Sequence, residues 1–300
     1  HSGFVGVIGK PNVGKSTIVN AFVGRKVSIV SPRPQTTRNR ILGILTRPDA
    51  QVILIDTPGW HKPEHPLGRH MISVTKGVVE DVDVLLAVVD AAGRFTEEDE
   101  WVFEQVRRAK RPVLLALNKV DLVNKRLLLP LMARCADLKL FEELVPVSAL
   151  TGDNMDRLLT QLIARLPQGP RWYEPDQSTD QSSEQLIREF IREQVLYATR
   201  QEVPQAVAVL LDELTTKEPP AGRPNAPGLT LIRATILVER EGQKAIVIGK
   251  QGRALKQIGT AARLELERWL GRKVFLELWV KVAKQWRADP SILRELGYEA

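Results

Sequence analysis

Gly9-Lys10-Pro11-Asn12-Val13-Gly14-Lys15-Ser16 stands directly after the apolar run FVGVI and before the amphipathic stretch STIVNAFVG. The spacing G-x-x-x-x-G-K-S between a buried strand and a helix start predicts a loop whose backbone N–H groups turn inward, with the positive end of the helix dipole behind them. That arrangement fits the phosphates of a nucleoside triphosphate. Asn12, Val13, Gly14, Lys15, Ser16 and Thr17 then line the phosphates. The Lys15 ammonium reaches the β/γ oxygens, and the Ser16 hydroxyl ligates Mg2+.

Working outward, the first 166 residues alternate short apolar runs with stretches of helical period. Buried strands interleaved with helices predict an α/β domain whose mostly parallel sheet is covered on both faces. The strand candidates are residues 4–8, 41–45, 51–56, 84–90, 113–118 and 144–147. TRPDA lies between the second and third and predicts one antiparallel hairpin, so the sheet is mixed.

Asp56-Thr57-Pro58-Gly59 ends the third strand. A carboxylate there can hold Mg2+ through water, and the Gly59 N–H can bond the γ-phosphate. The pattern recurs at Asp90 to Gly93, and the position after the hairpin selects Asp56. Asn118-Lys119-Val120-Asp121 follows the strand VLLAL. The Asp121 carboxylate can accept from both N1–H and the exocyclic amine of guanine, a pair adenine lacks, while the Lys119 stem lies along the base. This selects GTP. Ser148-Ala149, after LVPV, places an N–H at the guanine oxygen.

The 300 residues allow two independent cores. Hydrophobic residues at 43% and charged residues at 26% exclude a wholly disordered, collagen-like or membrane-embedded chain. No apolar stretch approaches the ~18 residues that span a bilayer, and no signal-peptide layout stands at the start, so a cytoplasmic location is expected. The single Cys135 reads as a buried helical thiol. A net charge of +7 suits an anionic partner. His1 and Ser2 precede the first apolar run and are set aside from the fold reading.

PQGPRWYEPDQSTDQSS carries no periodicity, which divides the chain into a nucleotide-binding domain at 1–167, a linker at 168–182 and a second domain at 183–300. Ser182 and Gln185 form a capping box ahead of the helix face Leu186, Ile187, Phe190 and Ile191. Strand candidates follow at 206–211, 231–239 and 274–282, with the loop KEPPAGRPNAPG between the first two. GQKAIVIG reads equally as strand or helical turn. Gly249-Lys250-Gln251-Gly252-Arg253 then opens a helix with Leu255, Ile258, Ala262, Leu266 and Trp269 on one face. A glycine-flanked basic loop at a helix start lets backbone and Lys250 approach nucleic-acid phosphates closely. From Arg240 to Arg287, twelve Lys or Arg face four Glu, which fits single-stranded RNA. Trp269 and Trp279 lie on apolar faces and are expected in the core rather than stacked on bases.

In this order the nucleotide motifs resemble those of translation-factor-related GTPases. With the second domain, similar to a prokaryotic-type KH domain, the chain resembles the Era family of bacterial ribosome-assembly GTPases over nearly its whole length. The resemblance implies that SPRPQTTRNR is the first switch, with Thr37, or alternatively Thr36, closing on Mg2+ and the γ-phosphate. It implies a second switch from Gly59 to about Gly68. It further implies a GTP-hydrolysing switch that binds the 3′ end of small-subunit ribosomal RNA through Gly249, Lys250, Gln251, Gly252 and Arg253, with the GTP state favouring the RNA-bound form. Small-subunit assembly, a monomeric state and peripheral contact with the inner face of the cell membrane follow from the same source, though no lipidation signal or amphipathic anchor requires the last.

Asn12 matches a position that related GTPases use for K+, and it equally suits a residue that stabilises the loop turn. Trp60 stands where Ras-like proteins carry a water-positioning glutamine, and an indole cannot orient water as an amide does, so slow intrinsic hydrolysis is expected. Lys15, Thr37 and Gly59 are then the catalytic candidates, and Ser16, Thr37 and Asp56 the metal candidates. His61, His65 and His70 invite a zinc reading, but two prolines and a glycine break helical spacing, and a solvated switch loop is expected. An RNA chaperone that holds GTP as a structural ligand is the alternative function.

Overall fold

The computed structural model describes residues 1–60, 66–218 and 228–298. Its first sheet has six strands in the order β2-β3-β1-β4-β5-β6. These are β1 (Ser2–Ile8), β2 (Ile41–Thr46), β3 (Gln51–Asp56), β4 (Val84–Asp90), β5 (Val113–Asn118) and β6 (Glu143–Pro146). Only β2 runs antiparallel, paired to β3 through a turn closed by Arg47 N–H to Ala50 O. Side chains alternate between two cores, as β4 illustrates. Val84, Leu86 and Val88 face α1 (Lys15–Val23) and α5 (Met155–Ile163), while Leu85, Ala87 and Val89 face α2 (Pro66–Asp81), α3 (Glu97–Arg108) and α4 (Lys125–Asp137). Cys135 of α4 is fully buried in the second core, and burial pushes its thiol up to about 11.

Two expectations fail here. Ser2, set aside in the sequence reading, opens β1 and pairs with Gln51. The solvated loop expected through His70 stops earlier, because α2 begins at Pro66, a residue tolerated in a helix's first turn. His61 and His65 lie outside the described residues; His70 is buried in α2. Leu67 and Met71 hold this helix against Trp286 and Tyr298 of the second domain.

The segment predicted as a linker is pinned along the open edge of β2 and at the start of β3. Ile44 N–H donates to Ser178 O at 2.9 Å, and the Gln51 side chain bonds the backbone of Trp172 and Tyr173. Covering a strand edge removes a site for unwanted pairing.

The second domain opens with α6 (Ser183–Ala198), capped by the Ser182 and Gln185 pair. After α7 (Val203–Ala206) come β7 (Ala208–Lys217), β8 (Leu229–Val238), α8 (Glu241–Ile248), α9 (Arg253–Leu270), β9 (Lys273–Val282) and α10 (Pro290–Glu295). The sheet order is β7-β8-β9, with β8 antiparallel to β7 and parallel to β9. The ambiguous GQKAIVIG is therefore helical. Most of KEPPAGRPNAPG lies outside the described residues. Helices α6 and α9 cover one sheet face, burying Phe190, Ile258, Ala262 and Leu266. On the other face α2 and α10 cover only the end carrying Ala208 and Leu237, and Trp279, expected in the core, is 49% exposed beyond it. Period-two alternation puts Trp279 with Phe275 on the part of that face no helix reaches. Trp269 does pack edge-on to Phe190, and Trp286 is fully buried with its indole N–H on Ala206 O. Among the described residues no helix is long and apolar enough to cross a membrane.

Candidate functional site

Each nucleotide motif follows the carboxyl end of a parallel strand: the glycine loop after β1, Asp56 at β3, Asn118 at β5 and Ser148 beyond β6. Parallel strands bring those ends to one edge, which is where open α/β sheets bind ligands. Lys15, Ser16 and Lys119 thus meet around one cleft despite their separation in sequence, with Asp56 bonded behind Ser16.

In the glycine loop, Gly14 adopts φ +99° at the start of α1, and a Cβ there would lie 2.2 Å from Asn118 Nδ2. Only glycine fits this left-handed, crowded position. The Lys15 ammonium is buried and donates to Gly9 O at 3.0 Å and Lys10 O at 2.9 Å. Burial lowers its pKa to about 8, against the pull of Asp56 and Glu98. A cation held beneath inward-facing amides without a carboxylate in direct contact is suited to an anion arriving from outside.

Asp56 is fully buried, and three hydroxyl oxygens crowd around its Oδ2. Ser16 Oγ and Ser28 Oγ each donate to Oδ2 at 2.6 Å, Thr37 Oγ1 lies 3.4 Å from it, and Ser16 Oγ and Thr37 Oγ1 are 3.1 Å apart. Asp56 Oδ1 has no hydrogen-bond partner. Burial raises the carboxyl's pKa, opposed first by the hydroxyls of Ser16 and Ser28, then by Lys15 and Thr37. A hard-oxygen set with an orphaned buried carboxylate oxygen fits Mg2+. Of the two threonines, Thr37 joins this set, while the Thr36 hydroxyl turns to Arg33 O at 2.7 Å.

At the far end, Asn118 ties three loops together, donating to Val13 O at 2.8 Å and accepting from Ala149 N–H at 3.0 Å. The Ala149 amide, expected on a guanine oxygen, donates here to Asn118 Oδ1. Lys119 Nζ bridges Asn12 O at 2.7 Å and Asp90 Oδ2 at 2.6 Å, which gives the second D-x-x-G carboxylate a place in the same framework. Asp121 is exposed in a 3-10 turn, Val120–Leu122. Ser148 is buried and accepts from Thr151 N–H.

A cleft of 580 Å³ is lined by Asn12, Gly14, Lys15, Ser16, Thr17, Thr37, Gly59 and Lys119, while Asp56, Asn118, Asp121, Ser148 and Ala149 stand outside its lining. Trp60 does not line it. Its indole is buried against Trp101 in the core, and the Trp60 backbone N–H donates to Gly9 O at 3.3 Å. Asn12 Nδ2 donates to Pro32 O at 3.0 Å across the cleft mouth.

Two participants escaped the sequence reading. Ser28 sits in VSIV without a motif, held by Asn20, whose Oδ1 accepts from Val27 and Ser28 N–H at 2.9 Å each. Tyr197 lines the cleft from α6 of the second domain. Neither carries a local signal, because each arrives by tertiary packing.

In the second domain, Gly249 (φ +71°), Gln251 (φ +54°) and Gly252 (φ +75°) turn the backbone between α8 and α9. A Cβ on Gly249 would lie 2.7 Å from that of Ala254. Lys250, Gln251 and Arg253 are exposed at the bend. Beside it runs a groove of 410 Å³ with Leu255, Leu276 and Leu278 as its apolar part and Lys256 and Arg263 as its basic part. Apolar surface for bases beside cations for phosphates is the chemistry of single-strand binding. Among the described residues no group of three or more His, Cys, Asp or Glu is placed to hold a metal.

Residues 4–119 match the family of 50S ribosome-binding GTPases, and residues 202–287 match the KH domain family. Two solved structures are similar over the whole chain. One is Era in complex with MgGDPNP and nucleotides 1506–1542 of 16S ribosomal RNA, at 40% identity and TM-score 0.92, covering 100% of this chain and 99% of that one. The other is an Aquifex aeolicus Era variant bound to GDP·AlF4−, with the same identity, coverage and TM-score.

Proposed function

The chain belongs to the Era family of GTPases, and from that premise we propose that it is a GTP-hydrolysing switch which binds the 3′ end of small-subunit ribosomal RNA through its KH domain and acts in small-subunit assembly. The observation that carries this reading is the convergence of Lys15, Ser16, Thr37 and Lys119 on one cleft, with Asp56 bonded behind Ser16, in a chain that also holds a glycine-turned basic loop. The similar Era structure is described with both MgGDPNP and 16S ribosomal RNA, which supports the same pair of ligands here.

In this reading the amides of residues 12–17 and the Lys15 ammonium cradle the phosphates. Ser16, Thr37 and Asp56 hold Mg2+, which when bound supplies charge neutralisation to the phosphate oxygens. Gly59, at the cleft edge, offers its N–H to the γ-phosphate. Asp121 selects guanine by accepting from two donors on the base, with Lys119 alongside and Ser148-Ala149 closing the pocket. The core position of Trp60 leaves water positioning to the switch backbones, which favours slow hydrolysis. Asn12 donates its amide nitrogen to Pro32 O, which leaves its amide oxygen as the ligand for K+. Gly249 to Arg253 take the RNA backbone. The protein acts as a monomer in the cytoplasm, with peripheral contact at the inner face of the cell membrane.

Phosphate release under multiple turnover, with and without a 3′-end ribosomal RNA fragment, tests the proposal. Faster turnover with the RNA is expected. Turnover that the RNA leaves unchanged, at a rate too slow to cycle, favours instead a chaperone that keeps GTP as a structural ligand.

A further inference from the structure

The first switch is gripped from the second domain on both sides of Thr37. On one side, Arg192 of α6 donates through Nη2 to Thr36 O. On the other, the Arg38 side chain leaves the switch and enters the second domain, where Nη1 donates to Val207 O at 2.7 Å and Nη2 to Gln205 O at 3.0 Å and Pro204 O at 3.3 Å. Those carbonyls belong to the end of the four-residue helix α7, which has no following turn to use them. The guanidinium also lies over the Trp286 ring, 5.5 Å from its centroid.

Both arginines are buried, at 2% and 1% exposure. Arg192 is aimed by Glu189, one turn earlier, through Nε at 2.9 Å and Nη2 at 2.5 Å. Its neighbour Glu193 accepts from Val30 N–H at 2.9 Å and from Lys26 Nζ at 2.5 Å, fixing the start of the switch to the same helix. Arg38 Nε and Arg192 Nη1 have no hydrogen-bond partner. The two cations also sit close enough for Arg192 to help burial push the Arg38 pKa down to about 10. Surface glue between domains is ordinarily built from exposed pairs or apolar contacts. Two desolvated guanidiniums aimed at backbone carbonyls beside one threonine instead fix the path of that backbone.

We propose that Arg38 and Arg192 are positioning residues for GTP hydrolysis, anchoring the residues on either side of Thr37 to the second domain so that its hydroxyl stays at Asp56 and Ser16. The inference rests on the reading of Thr37 as part of the Mg2+ set. It makes the nucleotide site incomplete without the second domain. Release of either arginine lets Thr37 leave the oxygen cluster while the glycine loop and base pocket keep their own internal bonds.

A double-mutant cycle on the full chain tests it, with GTP turnover measured against Mg2+ concentration for Arg192→Ala, Thr37→Ala and the pair. Arg192→Ala is expected to lower kcat roughly tenfold, as loss of one charged hydrogen bond allows. It should also raise the Mg2+ needed for half-maximal turnover and leave GDP affinity within about twofold. The pair should be no slower than Thr37→Ala alone, and Arg192→Lys, which keeps a donor, should recover part of the rate. Multiplying losses in the pair, or wild-type turnover in Arg192→Ala, would overturn the proposal. Wild-type turnover in Thr37→Ala would instead overturn the assignment of Thr37 beneath it. If Arg192→Ala does not fold, as judged by its thermal transition, Arg192→Gln takes its place in the same cycle with the same outcomes.

Discussion

The Ser28 hydroxyl donates to Asp56 Oδ2 at 2.6 Å, the same distance as the Ser16 hydroxyl of the glycine loop. Ser28 thus helps keep a fully buried carboxylate ionised when burial alone drives its pKa upward. Ser28→Ala removes one donor, so Asp56 takes up its proton at a higher pH during acidification. Mg2+ affinity should fall by about 1 kcal/mol, the worth of one hydrogen bond, and fall further at acidic than at neutral pH. Mg2+ titration of fluorescent GTP-analogue binding reads both effects. Equal loss at both pH values would separate Ser28 from the Asp56 proton.

Lys15 gives nucleotide binding an alkaline limit. Its pKa lies near 8 because burial disfavours the ammonium. Bound phosphates favour the ammonium and raise that value, so binding takes up a proton where free Lys15 is partly neutral. Affinity for GDP should therefore hold below about pH 8 and decline as the pH rises through it. Calorimetry in buffers of different ionisation enthalpy should find proton uptake at about pH 8.5 and little at about pH 7.

Asp121→Asn should move preference from guanine to xanthine nucleotides. An amide offers the guanine donors one acceptor and one clashing donor, so GTP affinity should drop by at least roughly a hundredfold. Competition between GTP and XTP for the cleft measures the exchange, and unchanged GTP affinity would place the base elsewhere.

Trp60→Gln separates a hydrolysis role from a packing role. The indole is 7% exposed and packed on Trp101, so the substitution removes core volume and buries an amide. A loss of about 3 kcal/mol in urea unfolding is expected, with no gain in GTP turnover.

Gly252→Asp should weaken RNA binding and spare GTP binding. A Cβ at Gly252 meets nothing within 4 Å, so the left-handed backbone at φ +75° costs about 1 kcal/mol and no clash follows. The added charge faces incoming phosphates, and RNA affinity should drop roughly tenfold, with a shallower salt dependence. Parallel filter binding of RNA and GTP distinguishes this from a folding defect, which would lower both.

Strands β1 and β3 to β5 were legible because parallel strands covered on both faces read as continuous apolar runs ending in motif residues. The glycine loop was legible because its chemistry demands fixed spacing. Trp279 was misread because an apolar neighbour on a strand does not reveal which face a helix will cover. Pro66 was read as a breaker, although proline starts helices as readily as it ends them. Ser28, Tyr197 and the grip of Arg38 and Arg192 left no local trace, since their partners lie far away in sequence and are chosen by how the two domains dock.

The coupling of nucleotide state to RNA is tested most directly by equilibrium binding of a 3′-end small-subunit ribosomal RNA fragment to the full chain with a non-hydrolysable GTP analogue, with GDP, and with no nucleotide, all at one salt concentration. Binding at least roughly tenfold tighter with the analogue than with GDP is the predicted result. Equal affinity in all three conditions would contradict the account, leaving two sites with no free energy passing between them.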